Sequence, residues 1–313
     1  MKIQIPEALK ADMPMTLWGR VLASTPIVMT VIATMLAGLA SSEMTRAQYD
    51  RSMAAQLQSK SGDQWGFFQA KKLRGAVQGT ALDMMTATVT VPAFDAAALQ
   101  HAGEAQGGTL KALLESEHGR AALGYLARGE VPAGLPDGAH DAKIAAAQEA
   151  IDQMQPAAEI AHRLGEVSDA SLETALHAAR DQTVALDAAT KPVSQAVEKI
   201  EHELEHATGI APELRRSFTM ARLRFDRARY DAEARLNQKI GGLYELQVRK
   251  SNLSAERHHF RSQKFFYGML GAQLGVIVAT FAMAARKRNW LWSFAAAAGV
   301  LALGFAGYVY MFL

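Results

Sequence analysis

The chain of 313 residues contains no cysteine. That excludes a disulfide framework, a thiolate nucleophile and any Cys-ligated zinc or iron–sulfur site. Aromatic residues make up only 7% and charged residues only 20%, although half of the chain is apolar. Apolar residues in that proportion, without the charges of an ordinary soluble domain, have to be concentrated in runs. A P-loop, a dinucleotide-binding glycine fingerprint and a serine-centred elbow are also missing, so the commonest nucleotide and acyl-transfer chemistries leave no signature. Together with the runs described next, this excludes a soluble cytosolic enzyme.

Three stretches of 20 or more residues carry no charge. The first, residues 21–42, lies between Arg20 and Glu43 and reads VLASTPIVMTVIATMLAGLASS. A helix rising about 1.5 Å per residue needs roughly 20 residues to cross the hydrocarbon core, so this stretch predicts a membrane span. A cleaved signal peptide competes with that reading, because Gly38-Leu39-Ala40 precedes Ser41. Signal h-regions run about 7–15 residues, however, and the longer run is read as an anchor. Pro26 is expected to kink it.

The second span is placed at 265–285 and the third at 290–313, joined by a basic loop at 286–289 as a tight antiparallel hairpin. Gly271 with Gly275, and Ala295 with Gly299, form small-xxx-small steps that let helix backbones approach. Gln273 is expected to hydrogen-bond between helices. No Asp, Glu, Lys, Arg or His lies inside any span, which argues against an ion pathway or a transporter.

Residues 1–20 form a short N-terminal segment, and residues 43–264 lie outside the bilayer. Pro92 and Pro212 divide that region into an outgoing helix (43–91), a head (92–212) and a returning helix (213–264). The two arms, about 73 Å and 78 Å long at the helical rise, read as an antiparallel coiled-coil-like stalk. In the returning arm Leu214, Phe218, Ala221, Phe225 and Ala228 step by 4 and 3, and Leu236, Ile240, Leu243 and Leu246 continue on a shifted seam, the pattern of a stutter. The outgoing arm is richer in Gln and Ala, and the β-branched run Thr86–Val91 is expected to fray it. In the head, GEAQGG, GEVPAGLPDG, Pro156, Gly165–Ser168 and Lys191-Pro192 read as breakers, and Asp169 or Ser171 as a helix cap. No period-two stretch is long enough for a sheet, so the expected fold is all-α with three transmembrane helices, a stalk and a helical head.

Charge follows this division. Residues 75–209 hold 8 basic and 20 acidic residues, a net of −12, whereas 210–264 carry +7 and 43–74 carry +3. An acidic head and basic arms suit a lipid bilayer as one partner, with a protein partner through the stalk or head. Interleaved Asp226, Asp231 and Glu233 on the arginine-rich returning arm argue against nucleic acid. For orientation, six basic residues flank each side of the spans. The short Arg-Lys-Arg loop is read as cytoplasmic because long domains translocate largely regardless of charge. That places the N-terminus in the cytoplasm and 43–264 outside.

Two motifs stand out. In KSGDQWGFFQAKKLR, Lys60 to Arg74, the bulky Trp65, Phe67 and Phe68 are flanked by Asp63, Gln64, Gln69 and Lys71. Helically spaced aromatics predict a packing layer between the arms, or alternatively a partner or oligomer contact. Counting residues along both arms sets Trp65 opposite Gly242. The second motif, His202-Glu203-Leu204-Glu205-His206, fits H-E-x-x-H, in which two His one turn apart bind zinc and the Glu acts as base. Pro212 stands where a third histidine ligand is wanted, and the surrounding KIEHELEHA reads as a solvated Glu/His-rich helix. No metal, cofactor or catalytic residue is therefore assigned, and the zinc hydrolase with His202, Glu203 and His206 is kept as the alternative. His258 and His259 read as surface residues.

The chain resembles an uncharacterised family of bacterial membrane proteins catalogued as a domain of unknown function. Ser61, Asp63, Gln64, Trp65, Gln69, Ala70 and Lys71 match its SDQWAYYQAK-like motif, with departures at Gly62 and at Gly66-Phe67-Phe68. The ending RKRNWLW, Arg286 to Trp292, is similar to its basic loop and aromatic entry. The resemblance covers the two ends and hardly touches 93–211. It implies a membrane protein and supplies no activity, and the expected location is the bacterial inner (cytoplasmic) membrane, as a multi-pass protein. The expected function is a non-enzymatic, self-associating helical scaffold or interaction protein.

Overall fold

The computed structural model describes residues 17–134, 141–284 and 289–312. The N-terminal segment before Leu17, the end of the GEVPAGLPDG breaker and the Arg286–Arg288 loop lie outside the described residues. Nine α-helices and no strand are found among those described. They are α1 (Leu17–Thr88), α2 (Ala96–Gln106), α3 (Gly108–Glu115), α4 (Glu117–Arg128), α5 (Ala142–Asp152), α6 (Ala157–Glu166), α7 (Asp169–His206), α8 (Pro212–Ala284) and α9 (Asn289–Phe312). Three of them, α1, α8 and α9, contain segments long and apolar enough to cross a membrane. Contacts divide the chain into two compact units, one of Met1–Ala54 with Ser251–Leu313 and one of Ala55–Lys250.

In the first unit, the apolar parts of α1, α8 and α9 pack around Met29, which is buried with Ile32, Leu36, Phe265, Ala272 and Val309. The thioether of Met29 lies where side chains on Gly275 and Gly299 would begin. Glycine at these two positions leaves room for the unbranched Met29 side chain from a third helix, whose flexible end would have to shift for any larger residue. Gly271, by contrast, faces open space, so only half of that expected step is used. Gln273 is exposed and makes no interhelical hydrogen bond among the described residues. Pro26 lies inside α1 without ending it.

In the second unit, α1 and α8 run antiparallel. The Ser61 hydroxyl donates to the Gly241 carbonyl at 3.2 Å, and further along Gly75 approaches Tyr230 and Gly79 approaches Arg227. Burial on α1 recurs at Leu57, Ser61, Gln64, Phe68, Lys71, Gly75, Gln78, Leu82 and Met85, in alternating steps of four and three. Many of these residues are polar or small, which explains the arm's weak apolar pattern. Helix α1 ends at Thr88, within the β-branched run expected to fray.

The head core joins α2, α3 and α4 to α7 and the start of α8, with Leu99, Leu114, Leu123, Ile200, Phe218 and Phe225 among its buried side chains. Short helices begin where side chains satisfy their free N–H groups. Asp95 accepts from Ala97 and Ala98, Ser116 from Gly119, and Asp141 from Lys143. The cap of α7 is Ser168, which accepts from Ser171, rather than Asp169 or Ser171 itself. Lys191-Pro192 breaks nothing, since Pro192 lies within α7. An interior proline costs about 3 kcal/mol. The next turns bury Val193, Ala196, Val197 and Ile200 in the head core, and at about 1.5–3 kcal/mol for each large side chain that burial outweighs the cost.

Candidate functional site

The aromatic motif sits on α1 in the second unit, and its side chains divide between two faces. Gln64, Trp65, Phe68 and Lys71 are half-buried toward α8, whereas Asp63, Phe67 and Gln69 are exposed. Trp65 and Phe68 meet edge to face with centroids 5.5 Å apart, a favoured aromatic geometry. The indole Nε1 lies 3.4 Å from where a side chain on Gly241 would begin. The glycine facing the indole is therefore Gly241, one residue from the expected Gly242, whose open side faces Gln148 of α5. Lys71 pairs with Glu233 and lies 5.6 Å over the Tyr230 ring. The Gln64 Oε1 is buried with no hydrogen-bond partner among the described residues.

A cleft of about 350 Å³ opens beside the indole, lined by Gln148, Asp152, Arg235, Lys239, Gly242 and Glu245 among others. Both signs of charge line it, and the Lys239 ammonium donates to Gln182 at 3.1 Å.

Sequence reasoning missed a charge network beyond this layer. Arg222 pairs with Glu201 of α7 at 2.9 Å, Arg229 with Asp226 at 3.1 Å, and Lys72 of α1 with Asp231 at 3.0 Å. Burial pushes the carboxyls of Asp226 and Glu201 above their ordinary values, outweighing the adjacent guanidinium groups. The signal was present as Arg and Asp/Glu three and four residues apart in RLRFDRARYDAE.

His202, Glu203 and His206 lie on the last turns of α7. The two rings are 4.4 Å apart, and His206 Nδ1 is 2.7 Å from the His202 carbonyl. The carboxylate grouped with them is Glu205 rather than Glu203, and all three side chains of that group are exposed. Glu203, the base of the expected motif, lies outside that group and lines a space with His202 and with Thr109 and Leu113 of α3. This geometry gives no support to a hydrolase, which needs its base beside the metal-bound water.

The first unit holds a polar site that the sequence left unmarked. His258 Nδ1 donates to Glu43 Oε2 at 2.6 Å, and its Nε2 is 4.0 Å from Asp50. The side chains of Glu43 and His258 are only 12% and 19% exposed. His258 is thus a half-buried partner of α1, not the surface residue expected. The neighbouring Ser262 donates to the Ala40 carbonyl at 2.7 Å.

No curated protein and no solved structure matches the chain. One family model does, and it spans the first apolar segment, the aromatic motif and α2 and α3, leaving the C-terminal hairpin outside. Residues 18–117 are similar to a domain of unknown function, DUF4337.

Proposed function

We propose that the chain is a membrane-anchored, non-enzymatic helical scaffold or interaction protein that associates with further copies of itself. The observation that carries this reading is the continuity of α1 and α8, each of which joins a segment apolar enough to cross a bilayer to a long helix of the second unit. The four-and-three alternation of burial on α1 supports antiparallel coiled-coil pairing of the two arms. The polar atoms of the motif support a structural role for it, because Ser61 and Lys71 hold α1 to α8. The location that follows is the bacterial inner membrane, with the N-terminus in the cytoplasm and the acidic head outside as a surface for a protein partner. Crosslinking and mass measurement of the full chain in phosphatidylethanolamine/phosphatidylglycerol vesicles test self-association. Oligomers are expected over a range of protein-to-lipid ratios, and a strictly monomeric species throughout would falsify the reading. Labelling of a Ser171→Cys variant from outside intact cells tests the orientation.

A further inference from the structure

Over its last six turns helix α1 has a mixed polar and apolar inner face and a separate apolar stripe on the opposite side. The inner face packs on α8. The outer face carries Gly66, Ala70, Leu73, Val77, Met84 and Ala87, all exposed, with Thr80 completing steps of four and three. Leu73, Val77 and Met84 are 68%, 58% and 65% exposed, and nothing lies within 4 Å of a side chain built at Gly66. The same face one heptad earlier shows Gln56, Ser59 and Asp63, the solvated composition that an outward face normally has. The apolar stripe therefore begins abruptly after Asp63 and holds a 3.5-residue period for three heptads.

We infer that this outer face is the contact by which two copies of the chain pair, as a parallel, in-register two-stranded seam. The inference rests on the self-association proposed above and names its surface. Copies anchored in one bilayer by the same apolar segments point the same way, so equivalent residues meet. The seam then sets Val77 at an a position and Leu73 at a d position, the β-branched and Leu combination that favours two strands. Gly66 and Ala70 allow close approach where the stripe begins. On the flanks, the g-to-e′ pairs are Gln69 with Arg74 and Asp83 with Thr88, each able to form a hydrogen bond, with the uncharged Ala76 and Ala81 between them, and no like charges meet. Arg74 and Asp83 make no ion pair among the described residues, so both are available for these contacts.

The area says where such pairing operates. A strip about 33 Å long and about 10 Å wide covers on the order of 300–400 Å² per copy, under half of the roughly 800 Å² of a stable soluble complex. The membrane anchor supplies the remainder by raising the effective concentration of copies.

The absence of native cysteine makes the test direct. Single Leu73→Cys, Val77→Cys and Met84→Cys variants of the full chain, in phosphatidylethanolamine/phosphatidylglycerol vesicles, are oxidised with copper phenanthroline in air. Disulfide-linked dimers are expected at these positions and at least tenfold less at the exposed controls Lys72→Cys and Arg224→Cys. Adding Leu73→Asp and Val77→Asp to Met84→Cys is expected to abolish its dimer while the helix content stays unchanged, because both sites are exposed in the single chain. Equal crosslinking at the controls overturns the inference. Monomeric seam variants in a chain that still oligomerises by mass overturn it too, while leaving self-association in place. A chain that is monomeric by mass as well removes both.

Discussion

Enlarging Gly241 tests the contact on which the motif turns. A single Cβ there would lie 3.4–3.5 Å from the Trp65 indole and the Gln64 Cβ, ordinary van der Waals distance. Gly241→Ala therefore adds contact without a clash and removes the helix-interior penalty of glycine, about 0.5–1 kcal/mol. Gly241→Leu must place three further carbons in the space occupied by the indole, and overpacking of this kind costs about 1–3 kcal/mol. For a unit of this size, 1 kcal/mol moves the melting temperature by about 2–4 °C. In mild detergent, Gly241→Ala should melt about 1–3 °C higher than the parent and Gly241→Leu several degrees lower. Trp65→Ala should lower it as well, by less than the roughly 3–5 kcal/mol of a fully buried Trp, because the indole is half-buried. The decisive measurement is the double-mutant cycle. If the leucine and the indole compete for one space, Gly241→Leu is harmless in the Trp65→Ala background, with a coupling of at least about 1 kcal/mol. Gly242→Leu, turned toward Gln148, should show no such coupling. Additive effects for Gly241→Leu and Trp65→Ala would refute the reasoning.

Three further perturbations follow from named contacts. Gly275→Leu and Gly299→Leu each place a branched side chain in the space of the Met29 thioether and should lower the melting temperature, whereas Gly271→Leu, facing open space, should not. His258→Ala leaves the buried Glu43 carboxylate without its imidazole donor, at about 1–3 kcal/mol, and His258→Gln, which keeps an N–H, should recover part of the loss in the same melting assay. Burial raises the carboxyls of Asp226 and Glu201, so each binds a proton more tightly folded than unfolded. Their stabilising contribution is then full below the ordinary carboxylate values near 3.8 and 4.5 and is lost as the pH rises through the raised folded values. Asp226→Asn should remove part of that slope, with its melting temperature gaining on the parent as the pH rises from 4 to 7; parallel pH profiles would show that burial does not control this group.

The apolar segments and the helical head were legible because their signals are local. A span needs only a run of uncharged residues, and most head helices start at an Asp or Ser, with two of them stopping at a Gly. Gly107 and Pro156 mark helix boundaries as their types suggest. Pro192 misled because its cost is local while its compensation, the burial of Val193, Val197 and Ile200, is tertiary. The indole's partner was missed by one residue for a geometric reason. A step of one residue turns a helix by about 100°, so counting along both arms locates the layer but not the face, and Gly241 and Gly242 point to different neighbours.

The outgoing arm shows why polarity hides a packed face. Reading apolar periodicity there finds little, because the inward positions include Ser61, Gln64, Lys71, Gly75 and Gln78. Two of them are held by specific partners, Ser61 by the Gly241 carbonyl and Lys71 by Glu233, and Gly75 packs beside Tyr230. The apolar positions that do recur along the same stretch, Leu73, Val77 and Met84, belong to the opposite face. A hydrophobicity-based reading would therefore turn α1 about half a revolution and bury the wrong stripe against α8. Burying Gln64, Lys71 and Gln78 costs more than burying leucines unless each polar group is paired, so the observed choice of inner face makes sense when the outer one has its own apolar contact to make. A helix with only one partner gains nothing from placing its leucine and valine in water; a helix with two partners does.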